Sequence, residues 1–382
     1  MKNKNFYMLA KTMFGLEQIL AEELQNLGAQ DIKIMNRAVS FKGDTGFMYK
    51  ANLNLRTALR ILKPIATFQA HNEKELYKKL CNIDWIKIFN LENTFATHAT
   101  THSEVFNHSK YASLLMKDAI ADTFRKKFNK RPNVNPENPD VSINLHIAKH
   151  TCTVSLDSSG ESLHKRGYKT DTVTAPMNEV LAAGMILLSD WNKVSDFHDP
   201  MCGSGTILIE AALIAYNIPV NIFRKKFGFE GWKDFDQQLW KKIKEVSLDK
   251  ELNYHGNITG SDNFQKAVRI SRKNIENALL NENIKIKNTD FFDTKVKPGM
   301  FVIFNPPYGE RIDIGINDFY EKIGSTLKHN YENCTVWIIS SDIENLKLIG
   351  LRASKKITLM NGKLKCSYRK FEVYNGSKKN KI

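Results

Sequence analysis

From residue 178 onwards, helical patterns alternate with short apolar runs, and this alternation limits the possible folds more than any other feature of the chain. Because strands of a parallel sheet are buried on both faces, they are apolar throughout and are joined by helices. The pattern predicts a doubly wound α/β domain over residues 177–382 with an antiparallel pair at its end. We expect helices at Asn178–Trp191 and Ile207–Tyr216, and strands at Val194–Asp199, Ile258–Ser261, Ile284–Lys287, Phe301–Phe304, Thr335–Ser340, Ile357–Met360 and Ser367–Tyr374.

Residues 1–157 lack this alternation and mix helices and strands differently. A strand pattern at Phe6–Ala10 precedes an amphipathic helix, Leu16–Leu27, which Gly28 terminates. A second group of elements contains a long helix at Tyr111–Lys127 and strands at Ser142–Ala148 and Thr151–Leu156. We therefore predict two α+β regions, 1–55 and 56–157, and a polar hinge at 158–176 before the α/β domain.

Composition limits the class of protein and its partners. The chain has 382 residues with 56 Lys and Arg against 41 Asp and Glu, a net charge of +15, which suits either a polyanionic partner or a generally basic surface. Its five cysteines include no C-x-x-C pair, so we expect no zinc site, disulfide framework or other metal site. The sequence shows no membrane span and no signal peptide, and we expect a cytoplasmic protein.

One basic segment lies among aromatic residues. It surrounds Phe124 and Phe128 and contains Arg125, Lys126, Lys127, Lys130 and Arg131. Cations beside aromatic rings suit the phosphates and bases of RNA. A solvated helix end, whose cations complement the helix dipole, explains the same residues equally well.

The motif D-P-M-C-G-S-G-T, Asp199–Thr206, stands where a strand is expected to pass into a helix. Gly203 and Gly205 permit a tight turn and close approach of a ligand to the backbone. The motif lacks the lysine of a P-loop and the third glycine of the dinucleotide fingerprint. Because the carboxylate of Asp199 repels a pyrophosphate, we expect a nucleoside that carries an ammonium group.

A second motif, N-P-P-Y, follows the apolar run Met300–Phe304. Pro306 and Pro307 supply no N–H donors, so the loop offers carbonyl oxygens and the side chains of Asn305 and Tyr308. These acceptors suit an exocyclic amine, with the Tyr308 ring stacked on its base. Because conjugation makes such an amine a poor nucleophile, acceptors that hold its hydrogens out of plane promote attack by the nitrogen.

Together the two motifs resemble the class I S-adenosylmethionine-dependent methyltransferases that act on amines, whose domain is Rossmann-like. DPMCGSGTILIEAA, NPPYGERI, SLHKRGYK and NGKLKC are similar to the THUMP-domain RNA methyltransferases, which include the amino-terminal half of the bifunctional large-subunit rRNA guanine-N2 methyltransferase. Relatives are often labelled N6-adenine-specific DNA methylases. The resemblance implies that a ferredoxin-like subdomain (1–55) and a THUMP RNA-binding domain (56–157) precede the methyltransferase domain.

The resemblance also implies the site residues. Asn305, Pro306, Pro307 and Tyr308 would hold the target base. Asp262 would bind the ribose of S-adenosylmethionine, Asp290 and Phe291 its adenine, and Glu179 would lie near its methionine end. The full cofactor set is Glu179, Asp199, Met201, Cys202, Gly203, Ser204, Gly205, Thr206, Asp262, Asn263, Asp290 and Phe291, and the expected RNA contacts are Arg125, Lys126, Lys127, Lys130, Arg131, Lys165 and Arg166.

Some interpretations stay open from the sequence. The expected function is methylation of guanine N2 in large-subunit rRNA by direct displacement, without a metal or a cysteine nucleophile. The alternatives are an adenine-N6 DNA methyltransferase and a non-catalytic RNA-binding assembly factor. An inserted segment at about 217–256 contains Arg224, Lys225 and Lys226, which suit either RNA contact or packing. We interpret His198 as a packed strand residue rather than a ligand.

Overall fold

The computed structural model describes residues 4–171, 176–307 and 315–374, which form two compact units. Unit 1 comprises Met1–Thr12, Leu20–Leu163 and Arg224–Val246, and unit 2 comprises Met13–Ile19, His164–Phe223 and Ser247–Ile382. Within these described ranges, no helix is long and apolar enough to span a membrane.

Unit 1 is built on one sheet that is continuous across both predicted α+β regions. The strands are β1 (Phe6–Lys11), β2 (Gln30–Met35), β3 (Ala38–Gly43), β4 (Arg60–Gln69), β5 (Phe95–His102), β6 (Val141–Ala148) and β7 (Thr151–Asp157), and the helices are α1 (Glu17–Leu27), α2 (Thr45–Asn54), α3 (Glu73–Cys81) and α4 (Ser109–Phe128). In the described residues the strand order is β2-β3-β1-β4-β7-β6-β5. Strand β4 pairs with β1 and β7, and only the β5–β6 pair is parallel among these neighbours.

Helix α4 is the longest helix of unit 1, close to the expected range. It buries Met116, Ile120 and Phe124, spaced at one helical turn, in the core. Asn129 ends it in the left-handed conformation, with φ of 55°, which asparagine tolerates better than most residues. The basic residues of its last turn lie where cations stabilise the helix dipole.

The inserted segment contributes residues 224–246 to unit 1. The Arg224 guanidinium donates to the carbonyl oxygens of Ser159, Glu161 and Ser162 at 2.9–3.3 Å. Lys226 forms an ion pair with Asp140 at 2.7 Å. Of the two interpretations left open by the sequence, the structure supports packing for Arg224, whereas Lys226 is exposed. The segment continues into helix α7 (Gln237–Leu248).

Unit 2 contains the expected Rossmann-like fold. Its elements are α5 (Glu179–Leu188), β8 (Phe197–Asp199), α6 (Thr206–Ala215), β9 (Ile258–Asp262), α8 (Gln265–Asn277), β10 (Ile284–Asn288), β11 (Phe301–Phe304), α9 (Ile316–Asn330), β12 (Thr335–Ser340), β13 (Lys355–Asn361) and β14 (Leu364–Glu372). The order of its described strands is β10-β9-β8-β11-β12-β14-β13. Neighbouring strands from β10 to β12 are parallel, and β14 is antiparallel to both β12 and β13.

The prediction for β8 was too long at its beginning. The strand starts at Phe197 rather than Val194, and the Val194 side chain is 76% exposed. The Asn192 side chain accepts hydrogen bonds from the amides of Val194 and Ser195 at 2.9 and 3.1 Å. This local turn uses the N–H groups that a strand would need, and such turns are typical of asparagine.

The polar segment expected to be a hinge is anchored where it leaves unit 1. Ser158 and Ser159 are fully buried. The Ser158 hydroxyl donates to the carbonyl of Ile61 at 2.8 Å, and the Ser159 hydroxyl donates to Asn52 at 2.7 Å. The polarity of residues 158 and 159 therefore reflects buried hydrogen bonding rather than solvation.

Candidate functional site

The loop of residues 200–205, here called the glycine-rich loop, connects β8 to α6 as the sequence predicts. Gly203 and Gly205 have φ of 54° and 79°, in the left-handed region that glycine enters without strain. A Cβ atom on Gly205 would lie 3.0 Å from Cβ of Ser271 on α8. The loop is also held by a hydrogen bond of 3.0 Å from the Cys202 amide to the Ser261 carbonyl. The backbone is thus fixed in a conformation that larger residues cannot adopt here.

Two acidic side chains lie at this loop. Asp199 is 1% exposed and accepts a hydrogen bond from the Met201 amide at 3.1 Å. Asp262 accepts from the Gly203 amide at 2.9 Å and from the Phe264 amide at 3.0 Å. Burial raises the pKa of both carboxyls. The nearby charge of Asp262 raises the pKa of Asp199 further, and the charge of Asp290 raises the pKa of Asp262 further.

Among the described residues, these carboxyls have no compensating cation. In ranges 4–171, 176–307 and 315–374, no Lys, Arg or His forms an ion pair with Asp199, Asp262 or Asp290. Since an unpaired buried charge is costly, a cationic ligand would relieve the penalty. The chemistry of this loop therefore fits a ligand with ammonium or sulfonium character.

Asn263 and Asp290 also meet. The Asn263 amide donates to the Asp290 carboxylate at 2.9 Å, and Asp290 also accepts from the Phe292 amide at 2.8 Å. The ring of Phe291, however, is 3% exposed and packs against Phe304 with centroids 5.4 Å apart. This burial does not match the adenine contact expected for Phe291, because the ring already belongs to the core.

Glu179 has a different environment from Asp199. Its carboxylate lies 2.8 Å from Nζ of Lys169, and both side chains are nearly buried. Lys169 also donates to the Met177 carbonyl at 3.0 Å. The charge of Glu179 is therefore already compensated within the protein.

The N-P-P-Y loop begins where β11 ends. Asn305 and Pro307 are partly exposed and Pro306 is buried, whereas Tyr308 lies outside the described residues. Strand β11 is parallel to β8, with Val302 opposite His198. The carboxyl ends of β8, β9, β10 and β11 therefore lie at one edge of the sheet, where ligands bind in open α/β sheets. The order of the strands therefore places the start of the loop at Asn305 at the same edge of the sheet as the glycine-rich loop.

Two side chains close to the site are packed and uncharged. His198 is 6% exposed, its Nδ1 lies 2.9 Å from Oγ1 of Thr259, and burial lowers its pKa to about 4. This confirms the interpretation of His198 as a packed strand residue. Burial also raises the pKa of the Cys202 thiol, which makes that sulfur a poor nucleophile.

The expected RNA contacts separate into exposed and buried residues. Arg125, Lys126, Lys127, Lys130, Arg131 and Lys165 are exposed. Arg166 is fully buried and pairs with Glu210 at 3.3 Å. The prediction that Arg166 contacts RNA is wrong, because its guanidinium is enclosed by protein.

Asn274 is a residue near the loop that sequence reasoning missed. It is fully buried on α8 and donates to the Ser204 carbonyl at 3.0 Å. Its only sequence signal is an amide on the apolar face of an amphipathic helix, among Val268, Ser271 and Ile275.

Comparison with known proteins gives consistent matches along the chain. Residues 166–370 match the family described as "RMKL-like, methyltransferase domain". Residues 7–62 match the RlmL ferredoxin-like domain, and residues 70–157 match the THUMP domain.

Individual relatives cover nearly the whole chain. A protein of Synechocystis sp. named "Putative RNA methyltransferase slr0064" is 36% identical over 364 residues, covering 94% of this chain and 95% of that protein. The crystal structure of SMU.472 complexed with SAH has a TM-score of 0.87, is 32% identical, and covers 99% of this chain and 100% of its own.

Another solved structure carries a different activity in its name. "A predicted N6-adenine-specific DNA methylase" from Listeria monocytogenes has a TM-score of 0.86, is 28% identical, and covers 97% of each chain. The methyltransferase family match alone extends over more than half of the sequence. The chain therefore belongs to the RMKL-like methyltransferase family, with an RlmL ferredoxin-like domain and a THUMP domain before its methyltransferase domain.

Proposed function

We propose that this chain transfers a methyl group from S-adenosylmethionine to an exocyclic base amine in RNA, specifically N2 of guanine in large-subunit rRNA. The observation that carries the proposal is the shared sheet edge, where the loop that begins at Asn305 starts and where Asp199 and Asp262 have no ion-pair partner among the described residues. The THUMP domain and the RNA methyltransferase named among its relatives support RNA as the substrate. A cytoplasmic location remains a prediction.

The glycine-rich loop and the carboxyls beside it fit the methyl donor. S-adenosylmethionine supplies an electrophilic methyl group on a positively charged sulfur, and its amino-acid end carries an ammonium group beside a carboxylate. We assign its binding to Asp199, Asp262 and Asn263, to the carboxylate of Asp290, and to the backbone of 201–206. Gly203 and Gly205 allow the close approach that a bound nucleoside requires. The negative charge of the site stabilises the sulfonium of the methyl donor, and this part of the stabilisation ends once the methyl group has left, whereas the ammonium group of SAH stays.

The residues after β11 hold the acceptor base. The Asn305 side chain and the carbonyl oxygens beside Pro306 and Pro307 accept the hydrogens of an amine, while the prolines offer no competing N–H donor. Fixing those hydrogens turns the nitrogen lone pair away from the ring and towards its electrophile. Tyr308 completes this set in the proposal as the ring that stacks on the base.

The exposed cations of α4 are the proposed RNA contacts. Lys126, Lys127, Lys130 and Arg131 are exposed at or just after the helix end, whereas Arg125 already pairs with Asp122 at 2.8 Å. Lysine Nζ of residue 127 lies 5.7 Å from the centroid of the Phe128 ring. A cation beside an exposed ring can contact phosphate and base together.

Methyl transfer to defined nucleic acids tests the proposal. The protein is incubated with tritiated S-adenosylmethionine and unmodified rRNA, tRNA or DNA, and the labelled nucleosides are identified. We expect N2-methylguanosine from rRNA, formed roughly 10²–10³-fold more slowly by the Asn305→Ala variant. N6-methyladenine from DNA, without transfer to rRNA or its precursors, would instead support the activity in the name of the Listeria protein. Binding of RNA without binding of S-adenosylmethionine would support a non-catalytic assembly factor.

A further inference from the structure

Residues 164–171, here called the linker segment, are built into unit 2. The buried guanidinium of Arg166 lies 3.3 Å from Glu210 on α6, and the Tyr168 hydroxyl donates to the same carboxylate at 3.0 Å. Lys169 pairs with Glu179 at the start of α5. These contacts fix the linker segment to two helices, one of which begins directly after the glycine-rich loop.

Helix α8 provides the third attachment through Asn274. The Asn274 side-chain oxygen accepts from the Thr170 amide at 3.3 Å, and its nitrogen donates to the Asp171 carbonyl at 3.2 Å. The same nitrogen donates to the Ser204 carbonyl in the glycine-rich loop at 3.0 Å. The fully buried Asn274 amide therefore forms hydrogen bonds with both the linker segment and the glycine-rich loop.

We infer that Asn274 is a positioning residue that couples the conformation of the linker segment to that of the glycine-rich loop. When both are in place, both donors and the acceptor of the amide are used. If either moves away, the fully buried Asn274 amide is left without that partner, which is costly. Each partner therefore stabilises the position of the other, and a ligand that holds the loop also holds the linker segment.

This coupling matters because of where the linker segment lies in the chain. It lies after the THUMP match, which ends at residue 157, and it spans the start of the methyltransferase match at residue 166. Reciprocity of binding energies requires that whatever displaces the linker segment also weakens cofactor binding. The inference rests on the proposed function only in taking the S-adenosyl nucleoside as ligand of the loop.

Asn277 offers a matched control on the same helix. Its amide donates to the Tyr168 carbonyl at 3.1 Å and to the Thr170 hydroxyl at 3.0 Å, and no hydrogen bond described for it reaches the loop. Asn277→Ala therefore loosens the linker segment alone. Asn274→Ala loosens both sides of the coupling.

Two measurements test the coupling in the full-length protein, at a temperature well below the midpoint of its thermal unfolding. One is the calorimetric binding of SAH. The other is the rate of tryptic cleavage after Lys165 and Lys169, with and without saturating SAH. In the wild type, we expect SAH to slow this cleavage by roughly fivefold or more. Asn274→Ala should weaken SAH binding by roughly tenfold or more and abolish the protection. Asn277→Ala should speed cleavage in the absence of SAH while the segment stays in place in most molecules, so that SAH affinity changes by less than about threefold and the protection is kept.

The outcomes separate coupling from simple packing. Should Asn274→Ala fold poorly, Asn274→Leu keeps most of the side-chain volume while removing all three hydrogen bonds, and the same results are expected. Unchanged SAH affinity in a folded Asn274 variant, or full protection by SAH in that variant, would overturn the inference even though the wild type binds SAH. A wild-type protein that fails to bind SAH would refute the proposed function and this coupling with it.

Discussion

Replacing Asp199 by asparagine should stabilise the ligand-free protein while impairing its function. Asp199 is buried, has no cationic partner among the described residues, and accepts one described hydrogen bond, from Met201. Asparagine keeps the shape and an oxygen for that bond but removes the charge. A buried polar group that lacks a full set of partners typically costs about 1–3 kcal/mol, and the new amide donors offset part of the gain. We expect about 1–2 kcal/mol of added unfolding free energy at neutral pH.

The expected gain depends on pH in a defined direction. Burial raises the pKa of Asp199 above its ordinary value of 3.8. A raised pKa in the folded state means that its favourable contribution is fully present below the unfolded pKa and is lost as pH rises through the folded pKa. The variant should therefore exceed the wild type most at neutral and alkaline pH, and the difference should shrink as pH falls towards 4.

Calorimetry can follow both consequences in the full-length protein. The transition that SAH shifts identifies unit 2, which has about 200 residues, so the expected gain corresponds to about 2–8 °C in its midpoint. SAH affinity should fall by roughly 10- to 100-fold, because a hydrogen bond to a charged group is lost. The exposed Asp249 provides a control, since Asp249→Asn should shift the midpoint by less than about 2 °C.

Three results would refute this reasoning. The first is a lower midpoint for Asp199→Asn at neutral pH, which would show that the carboxylate has a stabilising partner. The second is a stability difference that does not vary with pH, which would exclude ionisation as its cause. The third is unchanged SAH affinity, which would place the charged end of the ligand elsewhere.

Three further perturbations test other parts of the molecule. Asn305→Ala should lower kcat by roughly 10²–10³-fold with SAH affinity within about threefold; near-normal turnover would mean that another group activates the amine. Because burial lowers the pKa of His198 to about 4, His198→Gln should reduce the loss of stability that the wild type suffers between about pH 6.5 and 4. A difference in unfolding free energy between the two proteins that stays constant over this pH range would contradict the prediction. Replacing Lys126, Lys127 and Arg131 by glutamine should flatten the log–log salt dependence of RNA binding by up to about 0.7–0.9 per lost phosphate contact, whereas an unchanged slope would remove α4 from the RNA interface.

The sequence predicted the features that depend on nearby residues. Apolar runs at Phe301–Phe304 and Thr335–Ser340 have the bounds of strands β11 and β12, because a strand buried on both faces needs apolar residues throughout. Helix α6 begins at Thr206, directly after the glycine-rich turn. The N-P-P-Y loop follows β11, whereas the strand before the glycine-rich loop, β8, is short and contains His198 and Asp199. The order of strands and helices then brings both loops to one edge of the sheet.

Tertiary structure decided the features whose partners are distant in the chain. Arg166 belongs to a basic, polar stretch of sequence but is buried against Glu210, 44 residues away. Asn274 acts on Thr170, 104 residues away, and residues 224–246 join unit 1 although elements of unit 2 flank them. A local pattern records which residues are polar. It does not record whether solvent or a buried partner satisfies them, since burial and pairing arise only when distant segments pack together.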